Sequence, residues 1–167
     1  VVAFQVLNFF FSHLKGVTSV ISGYHGGAKK DASYDTVGTG RTGHAEAVRV
    51  RYDPARVSYA QLLDYFWRHI DPTVKDRQFC DAGNQYRSAI FPATDEERRA
   101  AEGSRDALVA SGRFAQVFTT IEPAAAFHPA EDYHQDYYRK NPLRYAYYRS
   151  SCGRDARLKQ LWGKPAS

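Results

Sequence analysis

The sequence predicts an α+β fold: a ferredoxin-like β-α-β-β-α-β core in two layers, followed by a C-terminal extension. Three observations predict it. Alternating runs of strand length fall at residues 17–24, 46–52 and 86–91. Two stretches of helical period, residues 5–14 and 59–70, are interleaved with them in the matching order. No repeat and no interdomain linker divides the 167 residues, so residues 1–167 read as one domain whose tail, about 141–167, is mostly irregular.

Each element has a local cause. Val1 to Ala3 reads as the stub of a first strand. In residues 5–14, Val6, Phe9, Phe10 and His13 recur at helical spacing, and Leu7, Phe11 and Leu14 widen the apolar face. A helix this apolar should be largely buried, and Lys15-Gly16 should close it with glycine as the cap. His25-Gly26-Gly27 turns the chain after the strand at 17–24. Residues 28–43 form a long polar loop, uncommon without a functional reason. Asp53-Pro54 ends the strand at 46–52. Ser58 is the N-cap for helix 59–70, with Leu62, Leu63, Phe66 and Trp67 inward. Residues 95–111 read as a helix whose acidic start suits its dipole. A short strand follows at 117–121, then a helix or helical turn at 129–140 that Asn141-Pro142 stops. Within the tail, residues 155–162 have helical character.

Composition narrows the function classes. The net charge is +5, with basic residues gathered between Arg139 and Lys164 among tyrosines. Such a run reads more often as a solvated helical surface than as a nucleic-acid site. The aromatic pattern of an RNA-reading sheet is also missing, so no nucleic acid is expected. No apolar run approaches a membrane span, and no membrane partner is expected. The chain opens on Val1 rather than methionine, and nothing in it reads as a secretory signal. The two cysteines, Cys80 and Cys152, form no Cys-x-x-Cys pair. Thiol-bound zinc is therefore not expected, and a reducing cytoplasm is expected in preference to a structural disulfide. The expected state is a monomer.

Two stretches carry chemistry-bearing residues. Residues 76–91 read Asp-Arg-Gln-Phe-Cys-Asp-Ala-Gly-Asn-Gln-Tyr-Arg-Ser-Ala-Ile-Phe. The first half is polar and holds a glycine, and the second enters a strand. Cys80, Asp81 and Tyr86 thus sit on a loop backed by a rigid element, a common address for chemistry. Alone, the stretch is equally a polar turn with a buried tyrosine. The second stretch holds Ser33-Tyr34-Asp35 and then Thr42-Gly43-His44-Ala45-Glu46-Ala47-Val48, which puts Glu46 at the head of a strand. The two carboxylates could meet at one pocket. His44-x-Glu46 suggests a metal pair, but no third and fourth ligand stand at useful spacing, so neither metal nor other cofactor is expected.

Gly23-Tyr24-His25-Gly26-Gly27, Ser33-Tyr34, residues 41–48, Asp71-Pro72-Thr73 and residues 76–91, in this order and spacing, resemble the peptide methionine sulfoxide reductases of the A class. The resemblance runs from about Leu14 to the C-terminus. It implies reduction of protein-bound methionine-S-sulfoxide to methionine, with thioredoxin as reductant. Glu46 then matches the acid that protonates the departing oxygen, and Tyr34 and Tyr86 the phenols that hydrogen-bond it. Asp81 matches the carboxylate ordering the polar side, Phe4 the first aromatic of the methyl pocket, and Cys152 the recycling thiol. His134, within a further family-like segment, reads as a structural or surface histidine.

One part departs from the family. Where members carry Gly-Cys-Phe-Trp, this chain has Val2-Ala3-Phe4-Gln5. Ala3 takes the position of the nucleophile, Gln5 that of the second pocket aromatic, and Asn8 that of a usual glutamate. An alanine cannot attack sulfur. The chain as it stands is therefore expected to be inactive or crippled, unless Cys80 substitutes as nucleophile. The alternative is a pocket that binds a sulfoxide or small polar ligand through Tyr34, Glu46, Asp81 and Tyr86 without turnover.

Overall fold

The computed structural model describes residues 3–28, 30 and 32–163. The elements in chain order are α1 (Ala3–Ser12), β1 (Val17–His25), α2 (Tyr34–Gly38), β2 (Ala45–Tyr52), α3 (Tyr59–Trp67), β3 (Arg77–Gln78), β4 (Asp81–Ala82), β5 (Ala89–Ile90), α4 (Asp95–Ala110), β6 (Thr120–Ile121), β7 (Phe127–Pro129), α5 (Tyr137–Lys140), α6 (Pro142–Ser151) and α7 (Arg154–Trp162). The α+β class holds.

The main sheet is built on an antiparallel pair, β1 and β2, running from Val17 opposite Tyr52 to His25 opposite Ala45. β7 adds to the other edge of β1, with Gly23 opposite Pro129 and Tyr24 opposite His128. A Cβ on Gly23 would come within 2.4 Å of the His128 carbonyl oxygen and the Phe127 ring, so glycine permits this close third strand. Phe11 of α1 packs with Val57 and Leu62 against the β1–β2 face. Leu63, Trp67, Ile70 and Ala101 join α3 to α4, and the Trp67 indole N–H donates to Ser104 Oγ at 3.1 Å. Phe4, Tyr24, Val37 and Ala130 form a third cluster beside the candidate site.

The caps behave as the residues predict. Ser58 accepts from the Gln61 N–H while the Gln61 side chain accepts from the Ser58 N–H, a complete capping box at α3. Thr94 caps α4 ahead of Asp95, Glu96 and Glu97.

Several expectations change. Of the strand stub, Val1 and Val2 lie outside the described residues, and Ala3 opens α1 instead. α1 ends at Ser12, and turns carry the chain to Gly16, which has φ +97° and faces Val57 so closely that a Cβ would clash at 2.7 Å. The polar loop contains α2, nucleated by a capping box between Ser33 and Thr36. Only Ala89–Ile90 of the fourth strand is extended, and it pairs in parallel with β6, outside the main sheet. The polar half folds on itself: Tyr86 N–H bonds Gly83 O and Arg87 N–H bonds Asn84 O, closing a 3-10 turn. Residues 129–140 hold the end of β7, a 3-10 turn and the single-turn α5.

The tail is helical, not irregular. Pro142 stands in the first turn of α6, where its missing N–H leaves no bond unmade, so the dipeptide that stops one helix starts the next. Gly153, with φ +64°, separates α6 from α7. Cys80 and Cys152 are joined in a disulfide with Cα atoms 5.3 Å apart, which corrects the expectation of reduced thiols. Among the described residues no helix is long and apolar enough to cross a membrane.

Candidate active site

The site forms where the first turn of α1 crosses the start of β2. Glu46 is the second residue of β2 and lies opposite Tyr24 of β1. The Phe4 N–H, at the open end of α1, faces Glu46 Oε1 at 3.5 Å. Burial pushes the Glu46 carboxyl up to about 8; the Phe4 N–H pulls it back and the Asp81 carboxylate pushes it further. Glu46 is therefore mostly neutral at pH 7 and able to donate a proton.

Asp81 comes from the β3–β4 hairpin, whose tip is Phe79-Cys80. Gly83 follows with φ +142°, and a Cβ there would lie 2.4 Å from Gln85 Oε1. That close fit places buried Gln85 so that its amide donates to Gly38 O at 3.2 Å, tying the 3-10 turn after the hairpin to α2. Tyr34 opens α2 and Tyr86 closes the 3-10 turn.

These four groups lie within one another's fields. Burial raises the Tyr86 phenol to about 12, with Glu46, Asp81 and Tyr34 adding to it. Burial also raises Tyr34, again with Glu46 and Asp81. Asp81 is raised by burial against the opposing pull of the Tyr148 hydroxyl and the Arg154 charge. Both phenols thus stay protonated as hydrogen-bond donors. Phe4, Glu46 and Tyr86 line a cavity of about 430 Å³, which continues as an apolar trough past Leu7, Val48 and Leu63. Tyr34 and Asp81 are not in that wall; the Tyr34 ring lies 4.5 Å from His134, whose ring is 5.4 Å from Phe4.

Two of the departing residues of α1, Gln5 and Asn8, are accommodated inside the fold. Ala3 is the first residue of α1, beside Phe4. Phe4 is fully buried, with its ring 5.9 Å from Tyr24. Gln5 is buried too, and its Nε2 lies 2.8 Å from His134 Nδ1. Asn8 donates to Ser22 Oγ at 3.1 Å and to Val20 O at 3.3 Å. The polar side chains at positions 5 and 8 are thus matched to partners, as buried amides require. His134 is 5% exposed and serves this packing.

Cys152 and Cys80 are not brought to Glu46 as thiols. Each occupies the other in the disulfide, and no free cysteine stands among the described residues. Neither a recycling thiolate at Cys152 nor a substitute nucleophile at Cys80 exists in this oxidised form, since only a thiolate attacks. Among the described residues no group of three His, Cys, Asp or Glu side chains could hold a metal.

Sequence reasoning missed Tyr148 and Arg154. Tyr148 of α6 donates its hydroxyl to Asp81 Oδ2. Arg154 is 3% exposed, donates to His69 O at 3.1 Å, and has its guanidinium carbon 4.0 Å from the Phe79 ring centre. Tyr148 looks like any tyrosine of a tyrosine-rich run, and Arg154 like any member of a basic run. Only the spacing of both around Cys152, one turn before and two residues after, could have marked them.

The fold therefore presents a protonated carboxylic acid, two phenols and an apolar wall, a combination suited to a polar oxide on an apolar group. Comparison with known proteins agrees with that class. Residues 3–166 match the family described as peptide methionine sulfoxide reductase. The chain is 46% identical over 155 residues to the peptide methionine sulfoxide reductase MsrA of Halalkalibacterium halodurans, spanning 92% of this chain and 88% of that one. It is 49% identical over 148 residues to peptide methionine sulfoxide reductase MsrA 2 of Caulobacter vibrioides, covering 89% and 75%. The solved methionine sulfoxide reductase A of Corynebacterium diphtheriae superposes with a TM-score of 0.72 at 35% identity, over 83% of this chain and 71% of that one. The chain belongs to the peptide methionine sulfoxide reductase family.

Proposed function

We propose that the chain acts on methionine-S-sulfoxide in peptides and proteins at the pocket around Glu46. The observation that supports this most is a carboxyl group held neutral near pH 7, among two protonated phenols, beside an aromatic wall. The sulfoxide oxygen would accept hydrogen bonds from Tyr34 and Tyr86, and its S-methyl group would pack on Phe4. Asp81, fixed by Tyr148, would order the polar side.

The reduction balances simply. A thiolate attacks the sulfoxide sulfur and forms a sulfur–sulfur bond as Glu46 gives its proton to the oxygen. The hydroxyl then passes to the cysteine sulfur, the sulfur–oxygen and sulfur–sulfur bonds break, and methionine leaves with the cysteine as sulfenic acid. A second thiol converts that acid to a disulfide with loss of water, and a dithiol restores both. We take thioredoxin as the dithiol and a monomer in the cytoplasm as the working form, where a reducing poise would hold Cys80–Cys152 open and the disulfide is the oxidised form.

Ala3 supplies no sulfur. On this reading the chain as it stands holds the sulfoxide and polarises its oxygen, while attack is impaired. A dithiol-driven assay on a peptide containing methionine-S-sulfoxide tests it. Ala3→Cys should raise turnover at least about a hundredfold, because a positioned nucleophile is then restored. No gain from a correctly folded Ala3→Cys protein would remove this account of the site.

A further inference from the structure

Three consecutive side chains at the tip of the β3–β4 hairpin are gripped by one stretch of the C-terminal helices. Phe79 lies under the Arg154 guanidinium at 4.0 Å, Cys80 is bonded to Cys152, and Asp81 accepts from Tyr148. The tip is not in a relaxed shape. Phe79 has φ +52°, a conformation that side-chain-bearing residues adopt only when their surroundings hold them there. Of the three contacts only Cys80–Cys152 is covalent. It is also reachable: Cys80 is exposed and Cys152 half-buried, whereas Arg154 is buried. Cys152 is the C-cap of α6 and directly precedes Gly153, the N-cap of α7, so it stands at the junction of the two helices.

We propose that Cys80–Cys152 is a thiol–disulfide exchange site for a dithiol reductant, and that its redox state sets how firmly Asp81 is held at the Glu46 pocket. A reductant thiolate attacks Cys80 Sγ. The Cys80–Cys152 bond breaks, a mixed disulfide forms at Cys80, and Cys152 leaves as thiolate. The second thiol of the reductant, once deprotonated, attacks its own partner sulfur and releases Cys80. The protein pair gains two electrons and two protons, and the dithiol becomes a disulfide. With the bond open, the tip loses its one covalent tie and keeps only the non-covalent contacts of Phe79 with Arg154 and of Asp81 with Tyr148, so it is freer to leave its left-handed conformation.

The effect on ligand rests on the sulfoxide reading of the pocket, so the test carries a separate structural readout. The oxidised protein is treated under native conditions with thioredoxin plus its reductase, and separately with dithiothreitol, then alkylated and weighed. Both cysteines should become alkylated in at least one arm. Loss of labelling in the thioredoxin arm alone would assign the site to small dithiols. A pair that opens in neither arm without denaturant overturns the proposal. Amide hydrogen exchange across residues 77–83 should quicken about tenfold on reduction, a local rather than global opening. Unchanged exchange overturns it as well. Titration with a peptide containing methionine-S-sulfoxide should show at least about threefold weaker binding by the reduced form and by Cys80→Ser. Equal binding by the two redox forms overturns the link to Asp81. If neither form binds sulfoxide, the functional reading falls, and the exchange result alone decides the clasp.

Discussion

The two carboxylates of the site are held in opposite ways. Glu46 stands on an eight-residue strand paired along its length with β1. Asp81 stands on a two-residue strand whose hairpin is pinned by a disulfide, a cation–π contact and a tyrosine hydroxyl. Backbone ladders and core packing place the acid, whereas side chains from a distant helix place its neighbour. A group that must stay desolvated gains from a rigid sheet, and a group on a clasp can be repositioned by changing one contact.

The largest expected effect breaks the clasp side. Cys80→Ser or Cys152→Ser opens a loop of 72 residues and should cost about 4 kcal/mol by chain entropy, read as a lower denaturant midpoint under oxidising conditions. Under reducing conditions the same variants should differ little from the parent. A smaller effect sharpens the contrast. Tyr148→Phe removes a hydrogen bond to a half-buried carboxylate and should cost about 2 kcal/mol, with sulfoxide binding weakened but not lost. On the sheet side, Ser58→Ala at the cap of α3 should cost only about 1 kcal/mol and leave sulfoxide binding unchanged. Loss of binding in that variant would show that the two halves are not separable.

The pH dependence separates the halves in another way. Glu46 has a folded value of about 8 against an ordinary 4.5, so between these values the folded state binds the extra proton. Its share of stability is therefore fully present below about pH 4.5 and is lost as pH rises through about 8. Glu46→Gln should flatten that slope in thermal melts taken from pH 5 to 9. Asp81→Asn should leave most of it, because burial rather than Asp81 is the main cause.

What could be read in advance follows the same division. Alternation in residues 46–52 and the Ser58 cap with Leu62, Leu63 and Trp67 are local signals, and β2 and α3 form where those signals lie. The motif segments carry Tyr34, Glu46, Asp81 and Tyr86, which lie within one another's fields, although only Glu46 and Tyr86 of the four line the cavity. The tail was opaque because Asn141-Pro142 can end a helix or begin one, and the polar composition of α6 hides its single buried tyrosine, Tyr145. The clasp was opaque because its partners are far apart in the chain and none of Phe79, Tyr148 or Arg154 has a distinctive neighbour. The disulfide was discounted on composition, which says nothing of the 5.3 Å between the two Cα atoms. Gln5 and Asn8 read as departures, yet His134 and Ser22 meet them in the interior.

The central claim is a neutral acid at the head of β2. Difference infrared spectroscopy of the carboxyl region, comparing the protein with Glu46→Gln from pH 5 to 10, reads that proton directly. A protonated carboxyl band absent from the variant and fading with a midpoint near 8 is the predicted result. A Glu46 carboxylate already ionised at pH 6 would contradict the account.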